Sequence, residues 1–174
     1  LSRRHWRVIL VGSAVLTIVV PNIMIIAFVL ARLLREWSLS IGQIGLVNSM
    51  AILGMLGGSL ASGYIADRFG RRPVILVSII ATCLFSALSA LVWNLPTLIL
   101  SRILVGAASA SSFSTTPILL AEISPRRIRG RIMMLTEVGW ALGATMAALN
   151  GYLVIPALGW RVALALGCVP LLAF

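Results

Sequence analysis

Five long apolar runs fix what this chain can fold into: Val8–Leu34, Ile44–Ala66, Pro73–Trp93, Leu98–Leu120 and Ile132–Val154. Each is long enough to cross a bilayer, because about 20 helical residues rising about 1.5 Å apiece cover a hydrocarbon core about 30 Å thick. A sixth run opens at Val162 and reaches Phe174, 13 residues that do not span by themselves. The joints between runs carry turn chemistry: "FGRRP" at 69–73, "NLP" at 94–96 and "IPALGW" at 155–160. The pattern predicts an all-α membrane protein. Its first run is too long for a signal peptide and lacks a small-residue cleavage site, so it is expected to stay as an anchor.

Composition agrees, with 60% of residues hydrophobic, 10% charged and a mean hydropathy of +1.10. The 14 basic residues are all arginine and outweigh four acids, for a formal charge of +10. A charge of that size suits nucleic acid or an anionic membrane surface, and the placement of the arginines decides between them. Assigning alternate joints to alternate sides puts ten on one face: Arg3, Arg4, Arg7, Arg68, Arg71, Arg72, Arg126, Arg127, Arg129 and Arg131. The other face receives Arg32, Arg35 and Arg161. Such a bias sets topology, so the N-terminus is expected in the cytoplasm and nucleic acid is rejected as a partner. Cys83 and Cys168 lie singly inside apolar runs and read as core residues.

Small residues recur every four positions on three runs: Gly54, Gly58 and Ser62; Gly106, Ala110 and Ser114; Gly139, Gly143, Ala147 and Gly151. These stripes let helix backbones approach closely in lipid, where no hydrophobic effect drives association, and they read as packing seams. Polar groups within the runs are a different matter, since burying them costs a few kcal/mol and marks candidate sites. Glu137 lies roughly 200° round the helix from Gly139, and so faces away from the seam, with Trp140 on its side. A carboxylate beside an indole suits a cationic, aromatic or polyol substrate, and the competing reading is a glutamate paired with a nearby arginine. Arg102 lies about a turn inside the outer end of its run, where it either serves the interior or snorkels outward. Asn22 follows Pro21, whose missing N–H frees the Thr17 carbonyl, and the pair reads as a substrate-facing break.

Between the second and third runs stands "GYIADRFGRR", Gly63 to Arg72. Asp67 sits at the partly negative C-terminus of one helix, and Arg71 and Arg72 at the partly positive N-terminus of the next. Both placements cost energy locally, and so does that of Glu122 at the end of the fourth run. A tertiary solution pairs Arg71 with Glu122 and turns Asp67 toward another arginine or a helix N-terminus elsewhere.

That segment resembles the signature Gly-x-x-x-Asp-Arg-x-Gly-Arg-Arg/Lys of the major facilitator superfamily, through Gly63, Asp67, Arg68, Gly70, Arg71 and Arg72. Arg102, Gly106, Pro117, Glu122, Ser124, Pro125, Arg129 and Gly130 resemble the fourth helix and following loop of its sugar porter branch. "EVGWALG" and "PALGWRVALALGCVPLL" look more like the proton-coupled metabolite symporters and synaptic vesicle protein relatives. The resemblance implies the N-terminal six-helix bundle of a 12-helix carrier, here with five complete helices and a truncated sixth, its C-terminal bundle absent. Access would alternate by rocking of the two bundles, with a small solute such as a sugar, organic acid or related metabolite held between them, and with protons as partners.

It further implies a cytoplasmic latch at the Asp67 motif, a substrate-binding role at position 137, where sugar porters place glutamine, and coupling of protonation to substrate through Arg102. Many metabolite symporters carry an aspartate near position 22, so Asn22 departs from the pattern and leaves Glu137 as the acid able to carry a proton. A drug exporter and a non-transporting half-length module are the alternatives. The fifth run's lack of proline before Val154 speaks against the exporter. No catalytic constellation, metal-ligand cluster or cofactor motif is evident, so an enzyme is not expected.

Overall fold

A computed structural model of the protein describes residues 3–167, and among these residues it contains helices and turns but no strand. α1 (Arg3–Glu36) continues through Pro21 without ending. α2 (Ile41–Phe69) starts at a reciprocal cap: the Ser40 hydroxyl accepts the Gln43 N–H at 3.2 Å and the Gln43 side chain accepts the Ser40 N–H at 2.9 Å. Gly70, at φ +91°, then turns the chain in a single residue into α3 (Arg71–Leu88), which closes with a tight turn over Ser89–Leu91. α4 (Leu95–Ile123) is capped by Asn94, whose side chain accepts the Thr97 N–H at 3.1 Å.

α1, α2 and α4 outrun their apolar runs by about one turn or less at most ends, whereas α3 with its closing turn stops at Leu91, short of Trp93. Arginine and glutamate are good helix formers with long stems, so the helix persists past the hydrocarbon boundary while the charged tips reach the head groups.

The fifth span covers Arg129–Leu158 as one helical run, as expected, with its turn tightening at Glu137, where the Glu137 and Ala141 N–H groups still bond four residues back, and widening near its far end. α5 (Arg129–Thr136) gives way at Glu137 to α6 (Val138–Leu149), then to a wide π turn over Asn150–Val154 and to α7 (Ile155–Leu158). The wide turn has a covalent cause nearby: Pro156 cannot donate, and the Ile155 N–H reaches back five residues to the Asn150 carbonyl. Gly159, at φ +86°, leads into α8 (Trp160–Ala165), the start of the sixth helix. From Cys168 onward that run lies outside the described residues.

α1 is the central element, with 56% of its most apolar window buried, against 17% for α2 and for the fifth span, whose outer faces are therefore left for lipid or another bundle. The glycine stripes make the seams. A Cβ on Gly54 or Gly58 would strike the backbone of Ile103 or Ala107 on α4, and one on Gly106 the carbonyl of Ala51 on α2. On the fifth span, Gly139 packs on the Ser13 backbone, Gly143 on Val20 and Pro21, and Gly151 on Phe28, all from α1.

At the end away from the arginine cluster, Ile25, Val29, Leu33, Leu98, Ala163 and Leu164 form a buried core. It is closed by a polar tie. Trp160 Nε1 donates to Glu36 Oε2 at 2.8 Å and Arg32 Nε to Glu36 Oε1 at 2.8 Å, while Arg161 stacks 4.5 Å over the Trp160 ring.

Candidate functional site

Two groups of side chains carry the chemistry, one at the arginine-rich end and one in the span interior. The positive φ of Gly70 reverses the chain so tightly that the first residue of α3 lies over the last turn of α2. Arg71 Nε thereby donates to Glu122 Oε1 at 2.9 Å, and its Nη2 lies 3.8 Å from Asp67 Oδ1. One guanidinium thus serves both acids, and those three of the motif residues are brought together. The others are not. Arg68 stacks on Phe69, with the guanidinium carbon 5.6 Å from the ring centre, Arg72 is exposed, and the Nε of Arg129 is buried with no hydrogen-bond partner. A Cβ on Gly63 would meet nothing within 4 Å, so the described residues give no steric reason for glycine there.

In the interior, Glu137 sits on the tightened turn between α5 and α6 and is exposed. The ladder tightens around it, with the Trp140 N–H bonding the Glu137 carbonyl at 3.0 Å. Neighbouring carbonyls take hydroxyls from α1 as well. Ser13 Oγ donates to the carbonyls of Leu135 (3.5 Å) and Thr136 (3.4 Å), and Thr17 Oγ1 to those of Ser13 (2.8 Å) and Gly139 (3.2 Å). Beside Glu137, Trp140 is half-buried and meets Phe113 of α4 edge to face, ring centres 5.2 Å apart at 71°. Among the described residues Glu137 makes no ion pair. The result is an acid on a tightened helical turn, next to an aromatic corner, on an open face of the bundle.

Arg102 does not snorkel. Its side chain is 2% exposed, and both Nε and Nη2 lack a hydrogen-bond partner. The four acids of the sequence are accounted for elsewhere: Glu36 with Arg32 and Trp160, Asp67 and Glu122 with Arg71, and Glu137 on its tightened turn. Among the described residues, therefore, no carboxylate pairs with Arg102.

Asn22 is fully buried and ties helices together, its Nδ2 donating to the carbonyls of Ile18 at 2.8 Å and Gly167 at 3.1 Å. On α1 it lies about 140° from Thr17, so the structure does not bring it together with the Glu137 turn. Phe113, Ser13, Thr17 and Glu36 were not singled out from sequence. The i, i+4 spacing of Ser13 and Thr17 is a signal for a hydroxyl-bearing helix face, whereas Phe113 offers none.

Comparison with known proteins turns this geometry into kinship. The family model described as Major Facilitator Superfamily matches residues 5–174. The chain belongs to the Major Facilitator Superfamily. It is similar to the niacin transporter NiaP of Acinetobacter baylyi, with 36% identity over 146 residues, covering 84% of this chain and 33% of that protein. It is 32% identical over 173 residues to the 4-hydroxybenzoate transporter PcaK of Pseudomonas putida, covering 99% of this chain and 39% of that one.

In fold, it matches the inward-open xylose transporter XylE from E. coli at a TM-score of 0.81 and 20% identity, covering 97% of this chain and 46% of that one. A bacterial homologue of the lysosomal transporter Spinster, inward-facing and occupied, matches at 0.83 and 20%, covering 99% and 44%. The chain thus spans between a third and a half of these transporters. It is an integral, multi-pass membrane protein with the architecture of the superfamily's N-terminal bundle.

Proposed function

We propose that this chain is the N-terminal bundle of a proton-coupled carrier for small aromatic acids, working by alternating access against a C-terminal bundle across its open face. The observation that carries the reading is Glu137, on a tightened turn in the arginine-rich half of the fifth span, beside the edge-to-face pair of Trp140 and Phe113. A flat ring can lie in that aromatic corner, and a carboxylate on the ring is repelled by ionised Glu137 but accepted once Glu137 is protonated. Proton and anion then enter together. Arg102 adds a positive potential from the interior that favours an anionic solute without touching it. The relatives named for niacin and 4-hydroxybenzoate, both small rings bearing a carboxyl group, support this class over a sugar.

In this reading the carrier sits in the plasma membrane with its arginine-rich end toward the cytoplasm, an orientation that the positive-inside bias supports. Vesicles containing the protein should accumulate labelled 4-hydroxybenzoate or nicotinate against an inwardly directed proton gradient, about tenfold for each pH unit if one proton accompanies the solute. A protonophore should abolish this. Uptake indifferent to the gradient would overturn the coupling, and competition by xylose but by neither acid would overturn the substrate class.

At the cytoplasmic end, Asp67, Arg71 and Glu122 form a latch whose opening accompanies the switch of access, with Gly63, Arg68, Gly70, Arg72 and Arg129 shaping its surroundings. Because Arg71 and Glu122 are 22% and 51% exposed, the pair is worth no more than about 1 kcal/mol to stability. Arg71→Glu or Glu122→Arg alone should therefore slow transport several-fold while leaving the melting temperature nearly unchanged. The double exchange should recover most of the rate, and a double exchange as slow as either single change would rule the pairing out as the latch.

A further inference from the structure

A second cleft lies away from the Glu137 site, a groove of about 560 Å³ between α2 and α3 floored by α4. Ile65, Phe69, Val77, Ala81, Phe85 and Leu104 make most of its wall. Three serines reach it, and the hydroxyls of all three are engaged. Ser62 is 3.0 Å from the Ser114 hydroxyl, Ser78 is 2.6 Å from that of Ser112, and Ser111 donates to the Gly58 carbonyl at 3.2 Å. None needs a water or a polar ligand, so the groove calls for a hydrocarbon occupant.

Its length and its mouth narrow the choice. From Pro73 to Phe85 along α3 the groove runs about 18 Å, close to the roughly 15 Å of hydrocarbon in one leaflet. At the arginine-rich end it stops at Phe69, over whose ring Arg68 lies at 5.6 Å. Arg68 has no acid partner among the described ion pairs, since Asp67 is taken by Arg71.

We propose that this groove is a binding site for an anionic phospholipid, with one acyl chain between α2 and α3 and the phosphate on Arg68. Arg68 then has a task separate from that of Arg71. Lipid there would wedge the two helices whose connecting turn carries the latch. A chain in the groove fits this bundle whether or not the transport reading holds.

The test is native mass spectrometry of the whole protein released from nanodiscs of phosphatidylcholine with one-fifth phosphatidylglycerol. One phosphatidylglycerol should be retained per protein in preference to phosphatidylcholine. Arg68→Gln, a surface change that leaves the fold alone, should cut that preference about fivefold, the ordinary contribution of one basic residue beside an anionic head group. Ala81→Trp, which fills the groove, should remove retention of both lipids while circular dichroism shows unchanged helix content. Equal retention of the two lipids, or an Arg68→Gln protein with undiminished preference, would overturn the site. So would a folded Ala81→Trp protein that keeps its lipid.

Discussion

Gly58→Ala should destabilise the bundle by about 3 kcal/mol or more, whereas Gly57→Ala, one residue earlier and identical in chemistry, should leave it as stable or raise it by about 0.5–1 kcal/mol. The difference lies in what each new methyl group meets. A Cβ on Gly57 finds nothing within 4 Å, so that change removes a flexible residue from a helix interior and nothing else. On Gly58 the Cβ would lie against the carbonyl oxygen and Cα of Ala107, backbone atoms that no rotamer change can move. The two helices would have to separate. Separation would also pull Ser111 from the Gly58 carbonyl and Ser62 from Ser114, contacts of 3.2 and 3.0 Å that join α4 to α2. In lipid this cannot be made good by hydrophobic burial elsewhere, because close fit and interhelical hydrogen bonds are what hold helices together. Thermal unfolding in mild detergent, followed by circular dichroism and size exclusion, reads both variants. Equal melting temperatures would mean that the seam between α2 and α4 is not drawn tight at this glycine.

That seam was visible before any coordinates, because four-residue spacing of small side chains on two apolar helices has few other uses. The same holds for the five spans and for the turns at Gly70 and Asn94, whereas the cap of Ser40 with Gln43, equally local, starts α2 three residues before the apolar run at Ile44. The pairing of Arg71 with Glu122 was legible for a related reason, each being badly placed in its own helix field. What sequence did not disclose depends on distant partners. The tightened turn at Glu137 is stitched by Ser13 and Thr17, 122 and 123 residues away, and the closure of the opposite end depends on Trp160 reaching Glu36 across 124. Asn22 looks the same in sequence whether it lines a cavity or ties two helices, and it is the Gly167 carbonyl that decides its contact. Arg102 is a parallel case: helical position alone leaves snorkelling and burial equally open, and the neighbouring helices choose burial.

Glu137→Gln should abolish gradient-driven accumulation while leaving solute binding intact. Glutamine keeps the size of the side chain and carries no charge at any pH, so it imitates the protonated acid on the turn between α5 and α6. With Glu137 ionised, an aromatic carboxylate entering the corner of Trp140 and Phe113 meets a like charge in a medium of low dielectric, and binding is opposed. Protonation lifts the opposition, so wild-type affinity should strengthen as pH falls and weaken as pH rises. In the glutamine variant the repulsion is absent throughout, and affinity should be flat across the same range. Counterflow of preloaded solute, which needs no proton, should continue. Net accumulation should fall to a ratio of about one, from about ten for each pH unit of gradient in a one-proton carrier. Trp140→Ala separates the two roles, since it removes the ring's platform and should weaken binding at every pH without flattening the profile. A glutamine variant that still concentrates solute against its gradient would place the coupling proton on another group. Arg102 and Asn22 offer no acid, so that group would be one of the acids at the span ends, Glu36, Asp67 or Glu122, or would lie outside this bundle.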